Sequence, residues 1–148
     1  MPPNKIALDY IRTLGLKKHP EGGYFREIYR SGEIITKKGL PARYSGPRNF
    51  SSHIFFLITK DSPSQTHRIK SDEIWNFYDG GAVTLSLYGK KKVRKIRLGK
   101  NSKKGESFTF TIARGQWFGA EVTGSPAYAL LGCTVAPGFD FADFELKK

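Results

Sequence analysis

The chain has 148 residues, 39% of them apolar, a net charge of +12 and one cysteine. That length suits one domain burying about two-thirds of its unfolded surface without disulfides or a structural metal. A lone Cys133 excludes an internal disulfide and fits a reducing, cytoplasmic setting; no apolar run suits a membrane-spanning helix, and Met1-Pro2-Pro3-Asn4-Lys5 shows neither a signal-peptide core nor a myristoylation glycine.

One helix is expected from Asn4 to Leu14, with Asn4 as N-cap, Ile6, Tyr10, Ile11 and Leu14 on one face, and Gly15 ending it. Strands follow. Tyr24 to Arg30 is β-rich. Ser51 to Thr59 contains Ile54-Phe55-Phe56-Leu57-Ile58, apolar on both faces and so expected to be buried. Thr36 to Phe50 is the longest irregular stretch, either a lid or partner contact or a solvated loop. Asp61-Ser62-Pro63 turns the chain into a short polar strand, Gln65 to Ile69. Glu73 to Tyr78 is aromatic-rich and stops at Asp79-Gly80-Gly81. Val83 to Tyr88 and Ser107 to Ile112 alternate with period two, and Lys92 to Leu98 returns through a Gly89-Lys90-Lys91 turn. Gln116 to Val122, Tyr128 to Ala136 and Phe141 to Leu146 complete the set. About ten strands at spacings of roughly 8–12 residues predict an all-β sandwich or barrel, one domain over 1–148 with the helix in 1–15 and the strands in 22–148.

Three histidines are available for chemistry: His19, His53 and His67. His67 and Glu73 flank a tight connection, so a hairpin would set imidazole beside carboxylate, able to bind metal, move a proton or form a hydrogen bond. Nine basic and no acidic residues fall between Lys90 and Lys104. An edge strand guarded by charge and a nucleic-acid surface both fit that stretch. Cys133 lies in an apolar strand and reads as a buried structural thiol.

The spacing His67-x-Ile69-x-x-x-Glu73, with Gly80 beyond it, resembles the first cupin motif. Three longer segments resemble the cupin-5 family, whose members carry predicted sugar-epimerase labels: His19 to Glu27, Ser71 to Trp75 and Gly132 to Phe141. The resemblance implies a double-stranded β-helix, the cupin (RmlC-like) jelly roll, commonly paired into homodimers. A typical cupin metal set would fall on His67, Ile69, Glu73 and Phe118. Ile and Phe cannot coordinate, so no metal and no other cofactor is expected; His53 supplies a third ligand only if its strand face points inward.

Without metal, the site must work by shape, stacking and hydrogen bonds. His67, Glu73 and Tyr24 are the candidate acid–base residues. Arg26, Glu27, His53, Trp75, Asn76, Gln116 and Phe118 are candidate ligand contacts. Arg26 is either a clamp for a carboxylate or phosphate or an ion-pair partner of Glu27 or Glu73. Three functions stay open: a small-molecule-binding protein, a sugar or sugar-nucleotide epimerase with His67 as base, and a nucleic-acid-associated protein. No membrane partner is expected.

Overall fold

A computed structural model describes residues 4–148; the reading of Met1, Pro2 and Pro3 lies outside the described residues. Helix α1 spans Lys5–Thr13, and Asn4 Oδ1 accepts the amide protons of Ile6 (2.9 Å) and Ala7 (3.3 Å). Such a cap satisfies donors that the first helical turn cannot pair. Gly15 ends the helix at φ +65°. The buried face is Ala7, Tyr10, Ile11 and Leu14, not the one expected from Ile6, which is 50% exposed. Ala7 starts an i, i+3, i+4, i+7 stripe that Ile6 precedes by 100° of helical turn.

Thirteen strands follow among the described residues. They are β1 (Lys17–Lys18), β2 (Tyr24–Arg30), β3 (Ile34–Ile35), β4 (Arg48–Asn49), β5 (Ser52–Thr59), β6 (Ser64–Arg68) and β7 (Asp72–Gly80). Then come β8 (Val83–Tyr88), β9 (Val93–Leu98), β10 (Thr109–Ile112), β11 (Trp117–Val122), β12 (Tyr128–Ala136) and β13 (Glu145–Leu146). A six-stranded sheet runs β1-β2-β5-β12-β7-β10 and a five-stranded sheet β13-β6-β11-β8-β9. Every ladder between these strands is antiparallel. The molecule is an all-β jelly roll with one short N-terminal helix.

The core lies between the sheets. Phe56, Trp75, Phe77, Leu131 and Cys133 from the larger sheet meet Leu85, Leu87, Phe118 and Val122 from the smaller. Full burial of each large side chain contributes about 1.5–3 kcal/mol. Strand β5 is apolar on both faces because both are covered. Phe56 and Ile58 face the core between the sheets, while Leu57 packs under α1 with Ala7, Leu16 and Tyr128.

Strand β9 is an edge of the smaller sheet, and its Val93 to Lys95 are exposed. An unpaired edge bristling with like charge resists pairing with another chain. The stretch Phe141 to Leu146 is not one strand. Phe141–Asp143 forms a 3-10 turn capped by Asp140, and only Glu145–Leu146 pairs, with β6. Phe108 is 61% exposed, because β10 begins only at Thr109. The segment Thr36 to Phe50 is pinned rather than loose. Tyr44 is buried and its hydroxyl meets Lys70 O (2.9 Å) and Ser71 Oγ (2.8 Å). Arg48 forms a buried two-pronged pair with Asp143, at 2.8 and 2.7 Å.

Candidate functional site

A cleft of about 700 Å³ opens beside the core, and His67, Glu21 and Glu73 form its floor. The volume suits a small organic molecule. His67 and Glu73 arrive from different sheets rather than from a hairpin. Strand β6 belongs to the five-stranded sheet and β7 to the six-stranded one, so the connection at Ile69 to Ser71 crosses between them.

Both imidazole nitrogens of His67 are engaged. Nδ1 lies 2.7 Å from Gln65 O, a carbonyl that can only accept, so Nδ1 carries a proton. Nε2 lies 2.7 Å from Glu21 Oε2. Phe118 lies against the ring at a centroid distance of 4.3 Å, and Phe144 at 5.5 Å. Burial pulls the His67 pKa down, but the charge and hydrogen bond of Glu21, the charge of Glu73 and the Gln65 carbonyl outweigh it; the net shift is upward from 6.5.

Glu21 lies within the His19 to Glu27 segment but is not among the candidate site residues that the sequence marks. The turn that delivers it depends on glycine. Gly22 has φ +102°, and a Cβ there would collide with the Pro63 carbonyl oxygen. The turn is tied to β6 by the Gln65 amide, which donates to Glu21 O at 2.6 Å. His19, at the start of the same turn, also lines the cleft. Its Nδ1 accepts the Glu21 amide proton (3.1 Å), and burial pulls its pKa down, which favours neutral imidazole.

Glu73 projects inward from β7 beside Trp75, whose indole donates to Glu73 Oε1 at 2.8 Å. Burial, then the neighbouring Glu21 charge, push the Glu73 carboxyl up from 4.5 to about 7; His67 and the indole bond oppose that without reversing it. The floor therefore holds a carboxyl poised to exchange a proton near neutrality beside an imidazole biased toward its charged form. Cys133 also faces the cleft, and burial pushes its thiol well above 9.0.

One wall of the cleft comes from the C-terminal segment, through Phe139, Asp140 and Phe141. The Arg48–Asp143 pair and the Phe139 amide, which donates to Ser52 Oγ at 2.9 Å, hold that wall in place.

The other sequence-named residues divide between the cleft and elsewhere. Glu27 lines the cleft but is paired with Arg30 at 2.6 Å. Arg26 lines the rim and pairs with neither Glu27 nor Glu73; its Nη1 donates to Leu14 O at 3.2 Å. Trp75 and Phe118 are buried behind the floor, 5.7 Å apart and edge-on. Tyr24 is displaced from the acid–base cluster. It stands opposite Leu57 on the helix-side face of its sheet and packs in the cluster under α1. His53 and Asn76 also lie on that outer face. His53 Nδ1 lies 2.7 Å from Thr134 Oγ1, and its Nε2 lies 3.2 Å from the Tyr78 hydroxyl. His53 is thus no third ligand to a floor metal. Gln116 donates to Tyr88 O (3.0 Å) and Trp117 O (2.7 Å), holding the entry to β11.

The usual cupin metal positions do not fit a metal here. Ile69 and Phe118 have no lone pair to give, and His67 spends both nitrogens on Gln65 and Glu21. Among the described residues, no group of three or more His, Cys, Asp or Glu side chains is placed to hold a metal ion.

The family model described as Cupin_5, cupin superfamily (DUF985), matches residues 8–147. The chain belongs to the cupin-5 family. It is similar to a hypothetical protein from Leishmania major, with 33% identity, a TM-score of 0.86, and coverage of 96% of this chain and 87% of that one. Protein SO0799 from Shewanella oneidensis is similar at 33% identity and a TM-score of 0.81, covering 95% of this chain and 83% of that one. An uncharacterised protein of Saccharomyces cerevisiae is 28% identical over 156 residues, covering 99% of this chain and 77% of the yeast one. Among the described residues of this cupin, no helix is long and apolar enough to cross a membrane.

Proposed function

We propose that this cupin binds a small polar molecule in the cleft floored by Glu21, His67 and Glu73, and that it does so without a transition metal. The observation that carries the reading is the floor itself. Two carboxyls and an imidazole, each under a tenth exposed, border open space instead of being sealed in the core. Ionisable groups are costly to bury, and such a cluster facing a cavity is where ligands and proton transfers are found. Native mass spectrometry of the purified protein tests binding. A co-purified small molecule, lost in a His67→Ala, Glu73→Gln variant that still folds, is the expected result; retention of that molecule by the variant would overturn the assignment. Elemental analysis of untagged protein tests the metal-free part, which stoichiometric iron, manganese or zinc would contradict.

A second reading, isomerase or epimerase chemistry on a keto-sugar, is favoured by the Glu73 pKa of about 7. Proton transfer beside a carbonyl is fastest from a group whose pKa matches the working pH. In this reading Glu73 rather than His67 is the base, because Glu73 commits only Oε1, to Trp75, whereas His67 has no uncommitted nitrogen. His67 then serves to position and polarise Glu21. Incubation with a panel of keto-sugars in deuterated water should place deuterium on the carbon next to the carbonyl, and Glu73→Gln should abolish it. Exchange that survives Glu73→Gln but is lost in a Tyr24→Phe variant would contradict this assignment.

A further inference from the structure

The charges around the cleft do not cancel evenly, and the remainder indicates what kind of ligand fits. Four carboxylates line it: Glu21, Glu27, Glu73 and Asp140. Glu21 is paired with His67 at 2.7 Å and Glu27 with Arg30 at 2.6 Å, while Asp140 is about half exposed and lies 3.8 Å from an Arg48 whose closer partner is Asp143. Burial raises the Glu73 carboxyl to about 7, so it carries only part of a charge at neutrality. Arg30 is likewise spent, since it also donates to Asn49 Oδ1 (2.8 Å) and Phe139 O (2.8 Å).

Two cleft-lining cations remain. Among the described residues, neither Lys17 nor Arg26 has a carboxylate within ion-pair distance. They reach it from different faces: Lys17 stands opposite Phe25 and shares its cleft-side face, while Arg26, the next residue of β2, lies on the helix-side face and meets the rim from there. The Lys17 ammonium lies 5.6 Å over the Phe25 ring, and Phe25 is itself part of the cleft wall. Arg26 is steadied by Leu14 O at the C-terminal end of α1, where the helix dipole favours a cation, and keeps most of its N–H groups unspent. A pair of uncompensated cations at the mouth of a low-dielectric cleft concentrates positive potential there.

We infer that the ligand carries an oxyanion, a carboxylate or a phosphate, held at the rim by Lys17 and Arg26 while its hydroxyl or carbonyl end reaches the Glu21–His67–Glu73 floor. This inference rests on the cleft being the binding site argued above, and narrows its ligand to small hydroxylated acids and sugar phosphates. Long flexible cations recognise such groups by charge and, for arginine, by paired N–H donors.

The test uses probes matched in size but not in charge: glucose, gluconate and glucose 6-phosphate. Binding is read from the His67 ring signals by NMR in the 148-residue chain. Three proteins are compared: the native chain, Lys17→Met with Arg26→Met, and Lys37→Met with Lys38→Met. The last removes the same net charge from an exposed loop that does not line the cleft. The acids should bind at least about tenfold tighter than glucose. The rim variant should lose that preference and the loop variant should keep it. A preference for only one acid identifies the oxyanion and supports the inference. Equal affinity for glucose and both acids overturns it while leaving the binding site intact, and so does equal loss in the two double variants. If no probe moves the His67 signals, the binding reading fails and this inference fails with it.

Discussion

Replacing Glu73 with glutamine should make the protein more stable at alkaline pH and change little in acid. Glutamine keeps the side chain's size and an oxygen to accept the Trp75 indole proton, now 2.8 Å from Glu73 Oε1. It removes only the titration. An acid whose folded pKa exceeds its unfolded one keeps its proton longer in the folded chain, so stability falls as pH rises between the two values. For Glu73 the window runs from 4.5 to about 7. At about 1.4 kcal/mol per unit, that rise corresponds to about 3 kcal/mol, absent below the window and fully felt above it. His67 acts in the same direction at higher pH. Its folded pKa is raised above 6.5, so the stability it contributes is present below that value and lost as pH rises through the folded one. Urea unfolding of both proteins across this range measures the difference. The wild type should lose stability steadily while Glu73→Gln holds a flatter profile, with the gap approaching about 3 kcal/mol above neutrality. Parallel profiles would refute the reasoning, because they would mean Glu73 titrates alike in the folded and unfolded chains.

Glu21→Gln should drop the His67 pKa below 6.5, since burial is the largest influence on that ring and the strongest opposing charge would be gone; a histidine NMR titration reads it directly. Asp143→Asn should destabilise the protein by about 3–5 kcal/mol by stranding a buried guanidinium. Pairing it with Arg48→Met should recover much of that loss in the same urea assay. Gly132→Ala should destabilise by about 1–3 kcal/mol through overpacking, because the new methyl would collide with the Tyr78 hydroxyl. That collision lies on the outer face of the sheet, so the His67 ring signals should stay where they are while the melting temperature falls.

Much of the fold was legible because it follows from local chemistry. Asn4 caps the helix, and β2, β8 and β12 begin and end where the turn residues and the apolar alternation place them. The double-sided apolar run of β5 announced that both its faces would be covered. Phe141 to Leu146 misled because its phenylalanines suggest a strand, whereas Asp140 accepts the Ala142 amide and starts a 3-10 turn instead. The site was half legible. His67 and Glu73 stood out by type and spacing, but their partner Glu21 lies 46 residues before His67. Its only local signal was a carboxylate set against two glycines, a pattern that marks close backbone approach. Tyr24 was a plausible acid by chemistry alone. Strand parity, fixed by its pairing with Leu57, turns it toward the helix. The charge ledger at the rim was out of reach, because which cations are already paired depends on contacts between distant segments, such as Arg30 with Phe139 O.

Carboxyl carbon NMR of glutamate-labelled protein, followed through a pH titration, tests the cleft floor most directly. The account predicts that the Glu73 resonance titrates with a midpoint of about 7 and moves when a ligand enters. A midpoint near 4.5, unmoved by any ligand, would mean an ordinary carboxylate at this position and would contradict the proposed site.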